Sequence, residues 1–205
     1  MTHSQQTKGA MIMDKRVIRT IRDIHETTIS LCEDIPVSEL TFSKIADEAG
    51  YSRGTLYQHY RNVEDLIRAV EAEKVEGLIH AFRKPYVNGK PHAEGSYRFK
   101  PDDVEIFSYI FKERRFFTMV MTNPNFAGFR DHLIELFIDM FTSDLDYLVK
   151  DLNGFVKERF VEVQSYSLFG LIAEWVRRDY QEPVTEMNEQ LIRAFFCHEN
   201  QISYR

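Results

Sequence analysis

TFSKIADEAGYSRGTLYQHYRNVEDL, residues 41–66, reads as two short helices and the start of a third. Thr41 stands where an N-cap belongs, with Phe42, Ile45, Ala46 and Ala49 forming an apolar face behind it and Gly50 closing the helix. Ser52 opens a second helix over Arg53–Tyr60, whose inward positions are Leu56 and Tyr60. Asn62 caps a longer one, with Glu64 and Asp65 in the first turn favouring the positive end of its dipole. Two helices joined through a sharp glycine turn form a helix-turn-helix.

The second of these helices carries almost no apolar face. It presents Arg53, Thr55, Tyr57, Gln58 and His59, and no acid occurs from Tyr51 to Arg61. Arginine and glutamine can hydrogen-bond base edges, while serine, threonine, tyrosine and histidine can hold phosphate oxygens. Gly54 would let the backbone approach a groove closely. A polar seven-residue helix taken alone is more often an ordinary surface element. Here the cap, the turn glycine, the short length and the basic-aromatic composition coincide.

These residues resemble a known family. Thr41, Ile45, Ala46, Ala49, Gly50, Tyr51, Ser52, Gly54, Thr55, Leu56, Tyr57, His59 and Tyr60, followed by Glu64 and Leu66, are similar to the DNA-binding region of TetR transcriptional regulators. The likeness covers roughly residues 14–66 and is most specific from Leu56 to Tyr60. It implies base contacts from Arg53, Gly54, Thr55 and Gln58. It implies phosphate contacts from Thr41, Ser52, Tyr57, His59 and Tyr60. Family members usually carry a lysine where this chain has Val63, and Arg61 is expected to supply that contact instead.

Outward from this stretch the chain reads as helix throughout, an all-α fold. From Lys15 to Leu31, Val17, Ile18, Ile21, Ile24, Thr28 and Leu31 recur at three- and four-residue steps, the mark of one buried helical face. Val63, Leu66, Ile67, Val70, Leu78 and Phe82 extend the fourth helix to about residue 82. Pro85, Pro91 and Pro101, with Asn88-Gly89 and Gly95, form the strongest breaker cluster. The expected division is a flexible arm over 1–13, a DNA-binding domain over 14–66 and a helical regulatory and dimerisation domain over 83–205. Helices are expected near 102–121, 124–151, 155–181 and 184–200.

Charge follows the same division. The whole chain carries a net −6, yet the first 61 residues sum to zero, so the body holds the entire excess. An acidic body disfavours a protein that coats nucleic acid or a membrane by charge alone. Mean hydropathy is −0.37, and no run approaches the roughly 20 apolar residues of a membrane span. The first 14 residues lack the apolar core of a signal peptide, and Cys32 and Cys197 are too few for a disulfide framework. A cytoplasmic setting is the expectation.

Fourteen of the sixteen phenylalanines lie at or beyond Phe99. Aromatics at helical spacing first mean a filled core. The resemblance implies two further uses. One is a ligand pocket walled by Phe107, Phe111, Phe116, Phe117, Phe137, Phe141, Tyr166 and Trp175, suited to an apolar small-molecule effector. The other is a homodimer interface formed by the last two helices. The small residues Gly170 and Ala173 point to it, with Leu171, Leu191, Ile192, Phe195 and Phe196. Helix-turn-helix dimers read palindromes, because one headpiece meets only a few base pairs. Tyr166–Trp175 followed by Pro183 is similar to the C-terminal region of the DhaS-like subgroup of the family, which implies an alternative: an activator governed by a protein partner.

The rival class is a helical enzyme. The chain has no G-x-G-x-x-G, no Walker loop and no G-x-S-x-G. His132 and Glu135 have a metal-like spacing, but no second pair accompanies them. A regulator binding double-stranded DNA, without metal, cofactor or catalytic residues, is the reading.

Overall fold

The computed structural model describes residues 15–87, 100–148 and 156–196, and within them the side chains of all but 85–87, 145–148 and 195–196. The described residues form nine α-helices and no strand. In chain order they are α1 (Lys15–Asp34), α2 (Phe42–Ala49), α3 (Arg53–His59), α4 (Val63–Val87) and α5 (Ile106–Lys112). There follow α6 (Arg114–Thr122), α7 (Ala127–Leu148), α8 (Lys157–Arg177) and α9 (Val184–Phe196). The chain divides into two compact units, residues 1–67 and 68–205.

In the first unit, α1 packs against α2 and α2 against α3. Its buried side chains include Ile24, Ile29 and Cys32 of α1, Phe42, Ile45 and Ala46 of α2, Leu56 of α3 and Leu66 at the start of α4. Thr28 is buried as its period predicts, its hydroxyl donating to the carbonyl of Ile24 at 2.8 Å. Ile18 departs from the expected buried face and is exposed. Burial pushes the Cys32 thiol up to about 11, with the Glu33 carboxylate adding to the shift.

In the second unit, α7 packs along α8 and α6 packs on both. The core is aromatic: Phe107 meets Trp175 edge-on at 5.4 Å, Phe116 meets Phe117 at 5.3 Å and Phe82 meets Phe141 at 5.2 Å. The remainder of α4 approaches α5 so closely that a methyl group at Gly77 would sit 2.2 Å from the Tyr109 hydroxyl oxygen. That hydroxyl donates to the Lys74 carbonyl at 2.9 Å, and burial raises its pKa above the ordinary phenol value. The buried Lys74 ammonium pairs with Glu113 at 2.8 Å. Arg83 of α4 donates from Nε to Asp144 of α7 at 2.7 Å.

Where a single helix is expected near 102–121, the chain forms a 3-10 turn at Pro101–Asp103, then α5 and α6. Asn188 of α9 holds that turn by donating to the carbonyls of Pro101 and Val104 at 2.9 and 3.1 Å. The break between α5 and α6 falls at Glu113, the residue paired with Lys74. Pro124 likewise starts a single 3-10 turn before α7 begins at Ala127. Helix α8 ends at Arg177, earlier than expected, and Asp179 and Tyr180 follow with φ of 53° and 55°. Left-handed non-glycine residues cost about 1–3 kcal/mol each and persist only where the surroundings fix them. Here Tyr180 is buried against Trp175 at 5.0 Å, and its hydroxyl donates to the Arg114 carbonyl at 3.1 Å.

Candidate nucleic-acid interface

Caps set the geometry of the turn. Thr41 is extended at φ −136°, and its hydroxyl accepts from the Lys44 amide at 3.2 Å. Gly50 takes φ 72° at the end of α2, a conformation that strains any side chain. The Tyr51 amide returns to the Ala46 carbonyl at 2.9 Å. Ser52 then caps α3, its hydroxyl oxygen accepting from the Thr55 amide at 3.1 Å and lying 2.9 Å from the Thr55 hydroxyl. At the far side, Asn62 accepts from the Asp65 amide at 2.7 Å while Asp65 accepts from the Arg61 amide at 3.0 Å. Four residues read from the sequence as caps or turn formers, Thr41, Gly50, Ser52 and Asn62, together with Asp65, thus fix where α3 begins and where the chain leaves it.

The seven residues of α3 bury one side chain, Leu56. Arg53, Gly54, Tyr57 and Gln58 are exposed, and Thr55 and His59 are half-buried. A methyl group at Gly54 would meet only the Ser52 hydroxyl oxygen, at 3.6 Å, so packing within the unit does not demand glycine there. The Tyr57 ring is 65% exposed yet steadied edge-on by Phe42 at 4.8 Å. Thr41, Lys44, Ser52 and Arg61 are exposed around it. The arrangement is a surface of hydrogen-bond donors and hydroxyls, suited to an anionic polymer with readable edges.

Tyr60 departs from the expected phosphate contacts. It is 7% exposed, and its hydroxyl lies 2.8 Å from Nε2 of the buried His25, so the phenol faces the core. Nothing in the sequence singles out His25 or Asp23, the latter accepting from the Tyr51 hydroxyl at 2.8 Å. Both stand on α1, outside the motif, and a lone histidine or aspartate in an amphipathic helix gives no signal of its partner.

In the second unit, Phe107, Phe116, Phe117, Phe137, Phe141 and Trp175 are buried to 1% exposure or less. All of them but Phe137 meet another aromatic ring edge-on. One aromatic expected beside them lies elsewhere, Tyr166, 58% exposed on α8; Phe111, 40% exposed beneath the Arg114 guanidinium at 5.0 Å, stacks on Trp175 at 6.1 Å from the rim of the cluster. An open groove runs instead between α8 and α9, lined in part by Gly170, Leu171, Trp175, Arg178 and Met187. A methyl group at Gly170 would meet nothing within 4 Å. Ala173 and Ile192 are half-buried and Leu191 is buried, while the side chains of Phe195 and Phe196 lie outside the described residues.

Comparison with known proteins follows the same division. Residues 24–70 match the family of bacterial regulatory proteins of the tetR family, and residues 104–196 match a transcriptional regulator C-terminal region of that family. The chain is 23% identical over 160 residues to YxbF of Bacillus subtilis (strain 168), an uncharacterized HTH-type transcriptional regulator. That match covers 76% of this chain and only 39% of the relative's length. Among solved structures, the dihydroxyacetone kinase operon activator DhaS superposes with a TM-score of 0.62 at 12% identity, covering 88% of this chain and 96% of that one. FadR from Bacillus subtilis in complex with stearoyl-CoA superposes with a TM-score of 0.58 at 13% identity, covering 85% and 96%. At such identities the superpositions speak for the fold, and the two family matches speak for kinship. This chain belongs to the TetR family of transcriptional regulators.

Proposed function

We propose that the protein is a sequence-specific regulator that acts as a homodimer on a palindromic operator and responds to an apolar effector. In this reading α3 enters the major groove, where Arg53, Gly54, Thr55 and Gln58 meet base edges. Thr41, Ser52, Tyr57, His59 and Arg61 hold the flanking phosphates.

The observation that carries the reading is α3 itself: seven residues, one buried side chain, no acid, and an exposed face of donors. A helix this short is not stable in isolation. Caps and neighbours hold it, and its outward chemistry serves a partner. Phosphate contacts supply affinity and base contacts supply choice.

Dimerisation through α8 and α9 is supported by the open face at Gly170 and Leu171. Ala173, Leu191, Ile192, Phe195 and Phe196 would complete the interface. The stearoyl-CoA held by the FadR structure supports an effector of apolar, acyl character. In this chain it would enter by parting the rings of the Phe107–Trp175 cluster, shifting α4, and a coupling of about 1–3 kcal/mol would suffice for control. The exposed Val163 and Tyr166 on α8 favour a second reading, in which the body docks a protein partner and the chain activates transcription.

Selection of the full chain against a random duplex library tests the first claim. A recovered palindrome bound at nanomolar affinity is expected; enrichment of no sequence would refute it. Stearoyl-CoA is the effector probe. It should raise the unfolding temperature and weaken operator binding, and no change in either would remove the acyl reading.

A further inference from the structure

Two tyrosines bracket α3, and α1 holds the hydroxyl of each. Tyr51 precedes the N-cap Ser52, and its hydroxyl donates to Asp23 Oδ2 at 2.8 Å. Asp23 in turn lies 3.8 Å from the exposed Arg19 guanidinium. At the other end Tyr60 is the C-cap, its hydroxyl 2.8 Å from His25 Nε2. The His25 and Tyr60 rings lie 5.9 Å apart, both buried. Positions two apart leave a helix from different sides, so the bonds from Asp23 and His25 do not duplicate one another.

Helix α3 needs such support. Leu56 is its one buried side chain, and the Tyr57 ring adds an edge contact to Phe42 on α2. A single buried anchor leaves a two-turn helix able to tilt about it. Paired hydrogen bonds to a base edge tolerate little tilt, because such bonds weaken steeply away from linear geometry.

We propose that Asp23 and His25 are positioning residues for DNA readout. Through the Tyr51 and Tyr60 hydroxyls they fix both ends of α3, and with them the angle at which Arg53 and Gln58 meet the bases. The proposal rests on the reading of α3 as the helix that enters the groove. The contacts proposed in that reading all lie between Thr41 and Arg61, whereas these two residues lie on α1.

Tyr51→Phe and Tyr60→Phe each remove one oxygen and keep the ring. Two readouts on the full-length protein apply: hydrogen exchange of the α3 amides without DNA, and affinity for a selected duplex and its scrambled counterpart over a salt series. Exchange should quicken at the first turn of α3 for Tyr51→Phe and at the last for Tyr60→Phe. The ratio of selected to scrambled affinity should fall about fivefold to tenfold for each, as loss of one net hydrogen bond implies. Scrambled binding and salt slope should not move. Asp23→Asn keeps an acceptor for Tyr51 and should bind like wild type, whereas Asp23→Ala should behave like Tyr51→Phe.

Three results would overturn the proposal. Equal weakening on both duplexes with a salt slope reduced by about one would make the hydroxyl a phosphate contact. A lower unfolding temperature with an unchanged affinity ratio would make the pair merely structural. Unchanged exchange in α3 would mean that neither end is held. Failure of the underlying reading is visible separately, as a wild type that does not distinguish the two duplexes; exchange without DNA then still decides whether α1 holds the helix.

Discussion

The two units spend their side chains in opposite directions. In the first, α3 keeps a single residue inside and turns arginine, glutamine, tyrosine and histidine outward. In the second, rings pack on rings until Phe107, Phe116 and Trp175 have almost no exposed surface. Function in the first is written on the surface, where residue identity answers to a partner. Identity in the second answers mainly to volume, because a packed interior is sensitive to the size of each group. A short polar helix is therefore more informative about activity than a large aromatic core.

Substitutions can break that contrast, and the largest effect belongs to the body. Phe107→Ala should lower unfolding free energy by about 3–5 kcal/mol, as expected for a buried aromatic replaced by a cavity. Denaturant unfolding followed by Trp175, the chain's single tryptophan, would measure it, since the two rings touch. The folded fraction should still distinguish operator from scrambled duplex. Gly77→Ala comes next, at about 1–3 kcal/mol for overpacking against Tyr109, read from the same transition. A stabilised variant would mean that α4 and α5 can separate freely.

Smaller effects belong to the headpiece. Thr41→Ala removes the cap of α2 and should cost about 1 kcal/mol in thermal unfolding. It should also weaken binding to all duplexes alike, whereas a change in sequence preference would make Thr41 a reader of bases. Smallest is the response of Cys32. Its raised pKa keeps the thiol neutral, so in a Cys197→Ser background at pH 8 a disulfide reagent should label it slowly until denaturant is added. The sign for stability follows: burial of the neutral thiol favours folding fully below the ordinary thiol pKa of 9.0, and that contribution fades as pH climbs toward about 11. Rapid labelling of the native protein would show that α1 opens readily.

The contrast also explains what could be read before the structure. Thr41, Gly50 and Ser52 announce α2 and α3 because caps and a left-handed turn require particular residue types close in sequence. Glu113 announces nothing. It is an ordinary helical residue, and only its long-range pairing with Lys74 accompanies the break between α5 and α6. Pro101 and Pro124 are compatible with a helix start, yet each opens a single 3-10 turn, the first held by Asn188 far along the chain. Tyr60 fits the family motif by type while its hydroxyl answers to His25. Periodicity likewise separates buried from exposed aromatics poorly when a helix is covered on most sides, and so Tyr166 lies outside the packed cluster and Phe111 only at its rim, against Trp175. Local chemistry was legible, and long-range pairing was not.

The central claim is that α3 reads sequence, and one comparison tests it most directly. Affinities of wild type, Arg53→Ala and Gln58→Ala for a selected duplex and a scrambled one would be measured over a salt series. Each substitution should lower the preference for the selected duplex by about 1–3 kcal/mol while the salt slope stays unchanged. Equal losses on both duplexes, with a shallower salt slope, would contradict the claim and reduce α3 to a phosphate-binding surface.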